Sequence, residues 1–418
     1  MPLIPNPLAY ADARRAILMT AVGILLVGCH RATPIATPIA TRPTAPQATA
    51  SIELDPLGSL PNAQYGARLP ERISDSTFWR MVSELSEAGG YFQSENFVSN
   101  EMGLQHVIGY LETLTQPGGV YVGVGPEQNF TYLGALRPRI AFIVDIRRQN
   151  LLQHLFYKAI FELSPTRAQF LSRLFARPAV AKTDPSVSAD SLITLLDQSA
   201  VDVELFRRTF DDARRLLLQQ HGFTLDSSDL GTLRYVDSIF VASGPSLNYS
   251  SGSTGRSRGG FNRMPTFAQV AGATDERGTN RGFLGSESAY GVVRDMQRRN
   301  LIVPLVGDFA GPKALRAVGT WLRERGALLS VMYTSNVEQY LFQSPDNWQR
   351  FYANVGSMPL DSNSRFIRSV TNRGGMFGGG GGNGFLMQQL TSSIASVVRG
   401  AQEGTVRGYY DVLSMSRP

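Results

Sequence analysis

Cysteine is almost absent. Cys29 is the only one in 418 residues, which excludes an internal disulfide, a cysteine metal cluster and a thiol nucleophile in the folded body. Histidine is nearly as scarce. Beyond the first fifty residues there are only His106, His154 and His221, far apart and without HExxH spacing, so a histidine-rich zinc site or a Ser-His-Asp triad has little to draw on. No P-loop lysine and no EF-hand loop occurs. Lysine is limited to Lys158, Lys182 and Lys313, so the net charge of +6 is carried by arginine. The arginines come in scattered pairs such as Arg147-Arg148 and Arg298-Arg299, without a long basic run or an RNA-binding aromatic signature, and nothing here supports nucleic-acid binding. The apolar run Ala16–Val27 falls short of the roughly 20 residues that a spanning helix needs.

What is present begins at that run. Arg14 and Arg15 precede it, and Gly28 and Cys29 follow it, the layout of an export signal spanning residues 1–28. The stretch Leu26-Val27-Gly28-Cys29 resembles the lipobox of bacterial lipoproteins. That resemblance implies cleavage before Cys29, lipid on its sulfur, and a protein anchored to a membrane of the bacterial cell envelope, on the periplasmic or outer surface. Residues 29–70 read as a tether. Their first part, to about Ala50, is Pro/Ala/Thr-rich and nearly free of large side chains, so it favours an extended chain of about 3 Å per residue.

Residues 71–372 read as an α/β domain, and its most informative stretch is Gly118 to Asn150. Val120–Val124 alternates like a short buried strand, Gly123 and Gly125 open a tight turn, Asn129–Leu136 suits a helix, and Ile140–Val144 is a second strand ending at Asp145. Such glycines let backbone approach a ligand, and an acid ending the next strand can accept hydrogen bonds from a ribose diol. The same residues equally describe a sharp strand-to-helix turn and a carboxylate capping a strand end. The stretch resembles the first βαβ unit of class I S-adenosylmethionine-dependent methyltransferases, with Gly123 and Gly125 in the glycine-rich turn and Asp145 as the ribose-binding acid. It departs from that family at Tyr121, where an acid is usual, and at Glu127, where a third glycine is usual. From Phe92 to Val370 the text, notably GDFAGPKAL and TSNVEQYLF, also resembles an uncharacterised bacterial family with a methyltransferase-like domain.

Val236–Ala242, Leu301–Asp308 and Leu328–Thr334 read as three more strands, with helices over Ser286–Arg299 and Pro312–Arg325. The alternation predicts a doubly wound, mostly parallel, methyltransferase-like sheet, with a helical insertion at 151–230 after the second strand. Ligand-binding candidates lie at the strand carboxyl ends: Gly123, Gly125, Glu127, Asp145, Asp308 and Asn336. The polar segment Ser94–Glu101 is a further candidate, although Ser99, Asn100 and Glu101 equally suit the start of a helix. Glu338 joins Glu127 and Asp308 as a carboxylate available for paired acid chemistry. Ser243–Arg263 reads as a loop beside the cleft, 373–385 as a glycine-rich hinge, and 386–418 as a tail able to form an amphipathic helix. Two functions fit: an envelope lipoprotein that uses this fold for binding, scaffolding or a still undefined activity in the cleft, with a small molecule as one ligand, or an S-adenosylmethionine-dependent methyltransferase of unknown substrate.

Overall fold

The computed structural model of the chain describes residues 68–179, 184–249, 251, 264–371 and 387–418. The export signal, Cys29, the tether as far as residue 67, the glycine stretch 373–385 and most of the Ser/Gly/Arg-rich loop lie outside the described residues. Among the described residues no helix is long and apolar enough to cross a membrane.

Two helices come first, α1 (Asp75–Leu85) and α2 (Ile108–Leu114). Strand and helix then alternate through β1 (Val120–Gly123), α3 (Gln128–Leu136), β2 (Ile140–Asp145) and α4 (Arg148–Leu163). Before the next strand come α5 (Arg167–Phe175), α6 (Ala189–Asp197), α7 (Val203–Arg215), α8 (Ser227–Ser243), α9 (Phe267–Gly272) and α10 (Glu287–Arg298). The rest is β3 (Ile302–Val306), α11 (Ala314–Glu324), β4 (Leu329–Ser335), α12 (Val337–Leu341), α13 (Asn347–Gly356), β5 (Arg365–Thr371), β6 (Met387–Ser393), α14 (Ile394–Gln402) and α15 (Tyr409–Ser414). Many helix starts are written in the sequence. Ser74, Thr166, Ser188, Asp202, Asp226, Thr266, Ser286 and Ser393 each accept a first-turn backbone N–H on their side chain, a contact worth about 1 kcal/mol.

The sheet is ordered β3-β2-β1-β4-β5-β6, with β6 antiparallel to β5 and the other pairs parallel. Strands β1, β2 and β3 are buried along their whole length, as a parallel sheet covered on both faces requires. On one face Tyr333 of β4 packs on Tyr132 of α3, and Phe130 of α3 meets His154, Tyr157 and Phe161 of α4 edge-on. On the other, Phe142 of β2 meets Trp321 of α11, and Phe366 of β5 meets Phe351 and Tyr352 of α13.

Three expectations are corrected. Val236–Ala242 is not a strand but the end of α8. Asp226 and Asp229 form a capping box that starts this helix, and burial falls on Val236, Asp237, Phe240 and Val241, a helical spacing that overrides the β-propensity of the run. The C-terminal tail begins as strand β6 rather than as a helix, and only from Ile394 does it turn helical. Glu101 precedes a run of turns over 102–107 and does not open a helix; α2 starts at Ile108.

Candidate functional site

The strand order reverses between β1 and β4, and in open α/β sheets the crevice outside the carboxyl ends at such a reversal is where ligands bind. A cavity of about 680 Å³ opens there. Its wall takes Val124 and Gly125 after β1, Asp145 to Arg147 at the end of β2, Gly307 and Asp308 after β3, and Ser335 and Asn336 at the end of β4. The segment from Tyr91 to Glu101 contributes most of the remaining polar wall.

The turn from β1 into α3 is held from inside. Asn129 donates through Nδ2 to the carbonyls of Val124, Gly125 and Pro126 at 3.0, 3.1 and 2.8 Å, while Tyr121 donates its hydroxyl to Asn129 Oδ1 at 2.9 Å. Tyr121, the departure from the methyltransferase pattern, therefore serves the turn. Gly123 is glycine for the same reason: a Cβ there would stand 2.0 Å from Asn129 Oδ1 and 2.7 Å from the Tyr121 ring. Gly125 has φ +80, a conformation that side chains resist. Behind it, His154 Nε2 lies 2.9 Å from the Gly125 carbonyl. Burial pushes this imidazole down to about 4, so the neutral ring spends its one N–H on that carbonyl.

Asp145 lines the cavity, but its carboxylate is committed to Arg147. The guanidinium donates from Nε to Oδ1 at 2.9 Å and from an Nη to Oδ2 at 2.8 Å, and the Arg147 backbone N–H adds a third bond to Oδ1 at 2.9 Å. The same arginine donates to the carbonyls of Ser94 and Glu95, tying the 91–101 segment to the end of β2. Asp308 and Asn336 are less engaged. Oδ1 of Asp308 accepts from the Ala310 N–H at 2.9 Å, and the Asn336 amide makes no hydrogen bond among the described residues.

Glu101, the last residue of the polar segment named as a further candidate, does reach the cleft. Only 2% exposed, it lies in the cavity wall and accepts from the hydroxyls of Tyr333 (2.7 Å) and Ser335 (2.6 Å) and from Gln389 Nε2 (2.9 Å). Burial, with the Glu101 charge beside it, holds the Tyr333 phenol well above its usual range, so it remains a donor. Ser335 reaches Glu101 from a left-handed backbone, φ +50, and Asn96 across the wall has φ +47. Strain of this kind persists only where surrounding contacts enforce it, and it concentrates at ligand sites.

Of the six candidates at the strand ends, Gly125, Asp145, Asp308 and Asn336 share the cavity, while Gly123 and Glu127 lie behind its wall. Glu127 is buried, accepts from the Ser99 N–H at 2.9 Å through Oε1, and leaves Oε2 without a partner. Burial raises it to about 7, with a further push from Glu101. Glu338 is away from the cavity, locked in a buried pair with Arg368 at 2.7 Å. Gln128 was missed because nothing local marks a helix-start glutamine as a cavity residue, and Tyr333 and Gln389, which hold Glu101 without lining the cavity themselves, carried no signal.

Residues 96–222 and 262–393 match a family described as a domain of unknown function, DUF7790. The chain belongs to this family. The two matched spans hold all six strands and most of the cavity wall. No curated protein matches the chain.

Proposed function

We propose that the chain is a membrane-anchored lipoprotein of the bacterial cell envelope, held by lipid on Cys29, whose α/β domain binds a small molecule in the cavity at the strand carboxyl ends. The observation that carries this reading is the 680 Å³ cavity at the reversal of strand order, walled by the segments that end or follow β1, β2, β3 and β4. Its volume lies in the range of small-molecule sites, and its polar groups converge from separate strands on a rigid sheet. Native mass spectrometry of the full chain, extracted from membranes in detergent, tests it. A non-covalent small molecule is expected, and Asn336→Trp, which fills the cavity, should abolish its retention. A wild-type spectrum without such a species speaks against the reading.

A second reading is an S-adenosylmethionine-dependent methyltransferase of unknown substrate. The Gly125 turn at the carboxyl end of β1 and the β3-β2-β1-β4-β5 order around it favour this reading. The commitment of both Asp145 oxygens to Arg147 weighs against it, because a ribose diol would have to displace a bidentate arginine. Calorimetry with S-adenosylmethionine and S-adenosylhomocysteine separates the two: no heat from either, at up to about 1 mM (near −4 kcal/mol), retires the methyltransferase.

A further inference from the structure

Six carboxylates are buried among the described residues, and five are accounted for internally. Asp145, Asp229 and Glu338 are paired with Arg147, Arg148 and Arg368 at 2.8, 2.6 and 2.7 Å. Glu127 and Asp237 are pushed up by burial to about 7 and about 8, so each escapes the cost of a buried charge by keeping a proton at or near neutral pH. Glu101 is the sixth. Its bonds come only from neutral donors, which orient the carboxylate without cancelling its charge, and its open side is the cavity. A buried charge without a counterion is costly, and the cavity is where a counterion can arrive.

Two further observations point the same way. Gln128, in the wall next to Glu101's partner Tyr333, is 4% exposed and leaves its Oε1 acceptor without a partner, so the wall offers a second electron-rich atom to an incoming donor. At the rim stand aromatic rings: Tyr91, 85% exposed, and the edge-to-face pair Phe92 and Tyr340 at 5.4 Å. Such rings attract cations and stack on planar groups. Phosphate finds little welcome. Arg147, the cation in this wall, is spent on Asp145, and Glu127 occupies the N-cap of α3, where a phosphate would otherwise meet the helix N-terminus.

We propose that the cavity selects an organic cation, a planar ring compound carrying an ammonium-type group and no phosphate, and that Glu101 is the residue that sets this specificity. The proposal rests on the small-molecule reading above. Three probes that share one nucleoside test it by calorimetry on the full chain near neutral pH: aminodeoxyadenosine, in which an ammonium replaces the terminal ribose hydroxyl, adenosine itself, and adenosine monophosphate. The cation should bind about ten- to a hundred-fold more tightly than adenosine, the range of a charge-assisted hydrogen bond, and the phosphate least. Glu101→Gln should remove the preference, bringing the affinity for the cation down to that for adenosine. A wild-type chain that binds the phosphate or adenosine as tightly as the cation overturns the proposal without any variant, and so does a preference that survives Glu101→Gln. Binding of none of the probes also overturns it, and only an empty native mass spectrum takes the small-molecule reading down with it.

Discussion

Arg147 and Asp145 neutralise each other inside the wall, with side chains 8% and 5% exposed. Removing one partner of a buried pair strands the other, which costs about 3–5 kcal/mol. Asp145→Ala should therefore lower the melting temperature of the unliganded protein markedly and loosen the 91–101 segment that Arg147 ties down. A melt that hardly moves, with ligand affinity lost instead, would show that the carboxylate serves a ligand rather than the fold. Glu127 gives a prediction in pH. Its ordinary value of 4.5 rises to about 7 in the folded chain. Below 4.5 both states hold the proton; between 4.5 and about 7 only the folded state keeps it, so this group's stabilisation is lost as pH rises through that window and levels off above it. Glu127→Gln keeps an acceptor for the Ser99 N–H and should flatten the fall, leaving the variant more stable than wild type at pH above about 7 by up to a few kcal/mol. Denaturant midpoints measured across that range check the sign.

At the scale of an element, the β1–α3 turn is a fitted unit whose parts were chosen for each other. Asn129 satisfies three carbonyls, Tyr121 satisfies Asn129, and Gly123 makes the room both need. Asn129→Ala should cost about 2–4 kcal/mol, because it leaves a buried phenol and several carbonyls unpaired. Gly123→Ala should also destabilise, but less in the Asn129→Ala background, where the 2.0 Å clash with Oδ1 is gone. That non-additivity, read from a double-mutant cycle in chemical denaturation, is the signature of contact between the two; simple additivity would mean that the glycine answers to a different constraint. The β5–β6 pair is fitted in another currency. Arg368 on β5 bonds Glu338, Ser392 and Ser416, so α12, β6 and the last residues of the chain close on one buried guanidinium.

At the scale of the whole molecule, the proposed lipid anchor gives a further test. If Cys29 carries the lipid, Cys29→Ser should move the protein from the membrane pellet to the soluble fraction while the cavity keeps its ligand. A variant that still sediments after a high-salt wash would point to another anchor. The position of Cys29, ahead of a Pro/Ala/Thr-rich stretch, separates anchoring from binding along the chain, so the two properties should fail independently.

Strands β1 to β4 were legible because each is a short apolar run bounded by Gly, Pro or Asn, and the turn glycines were legible because backbone conformation and close packing leave few substitutes. The edge of the sheet was not. β5 carries Arg365 and Arg368, and β6 reads MQQLTSS; their burial is stabilised by an ion pair and side-chain hydrogen bonds that exist only once distant segments meet, so neither has the apolar signature of a strand. Val236–Ala242 failed in the opposite sense, its β-branched run being taken into a helix by a cap ten residues upstream. The sequence alone determined the order of the central elements and the strand ends on which ligand candidates stand. Tertiary structure decided which of those candidates are free. Asp145 and Glu338 look alike as strand-end acids and are both neutralised by arginine, whereas Glu101, from a loop ahead of the first strand, is left facing the cavity with its charge unpaired, because pairing depends on distance in space and distance along the chain does not report it.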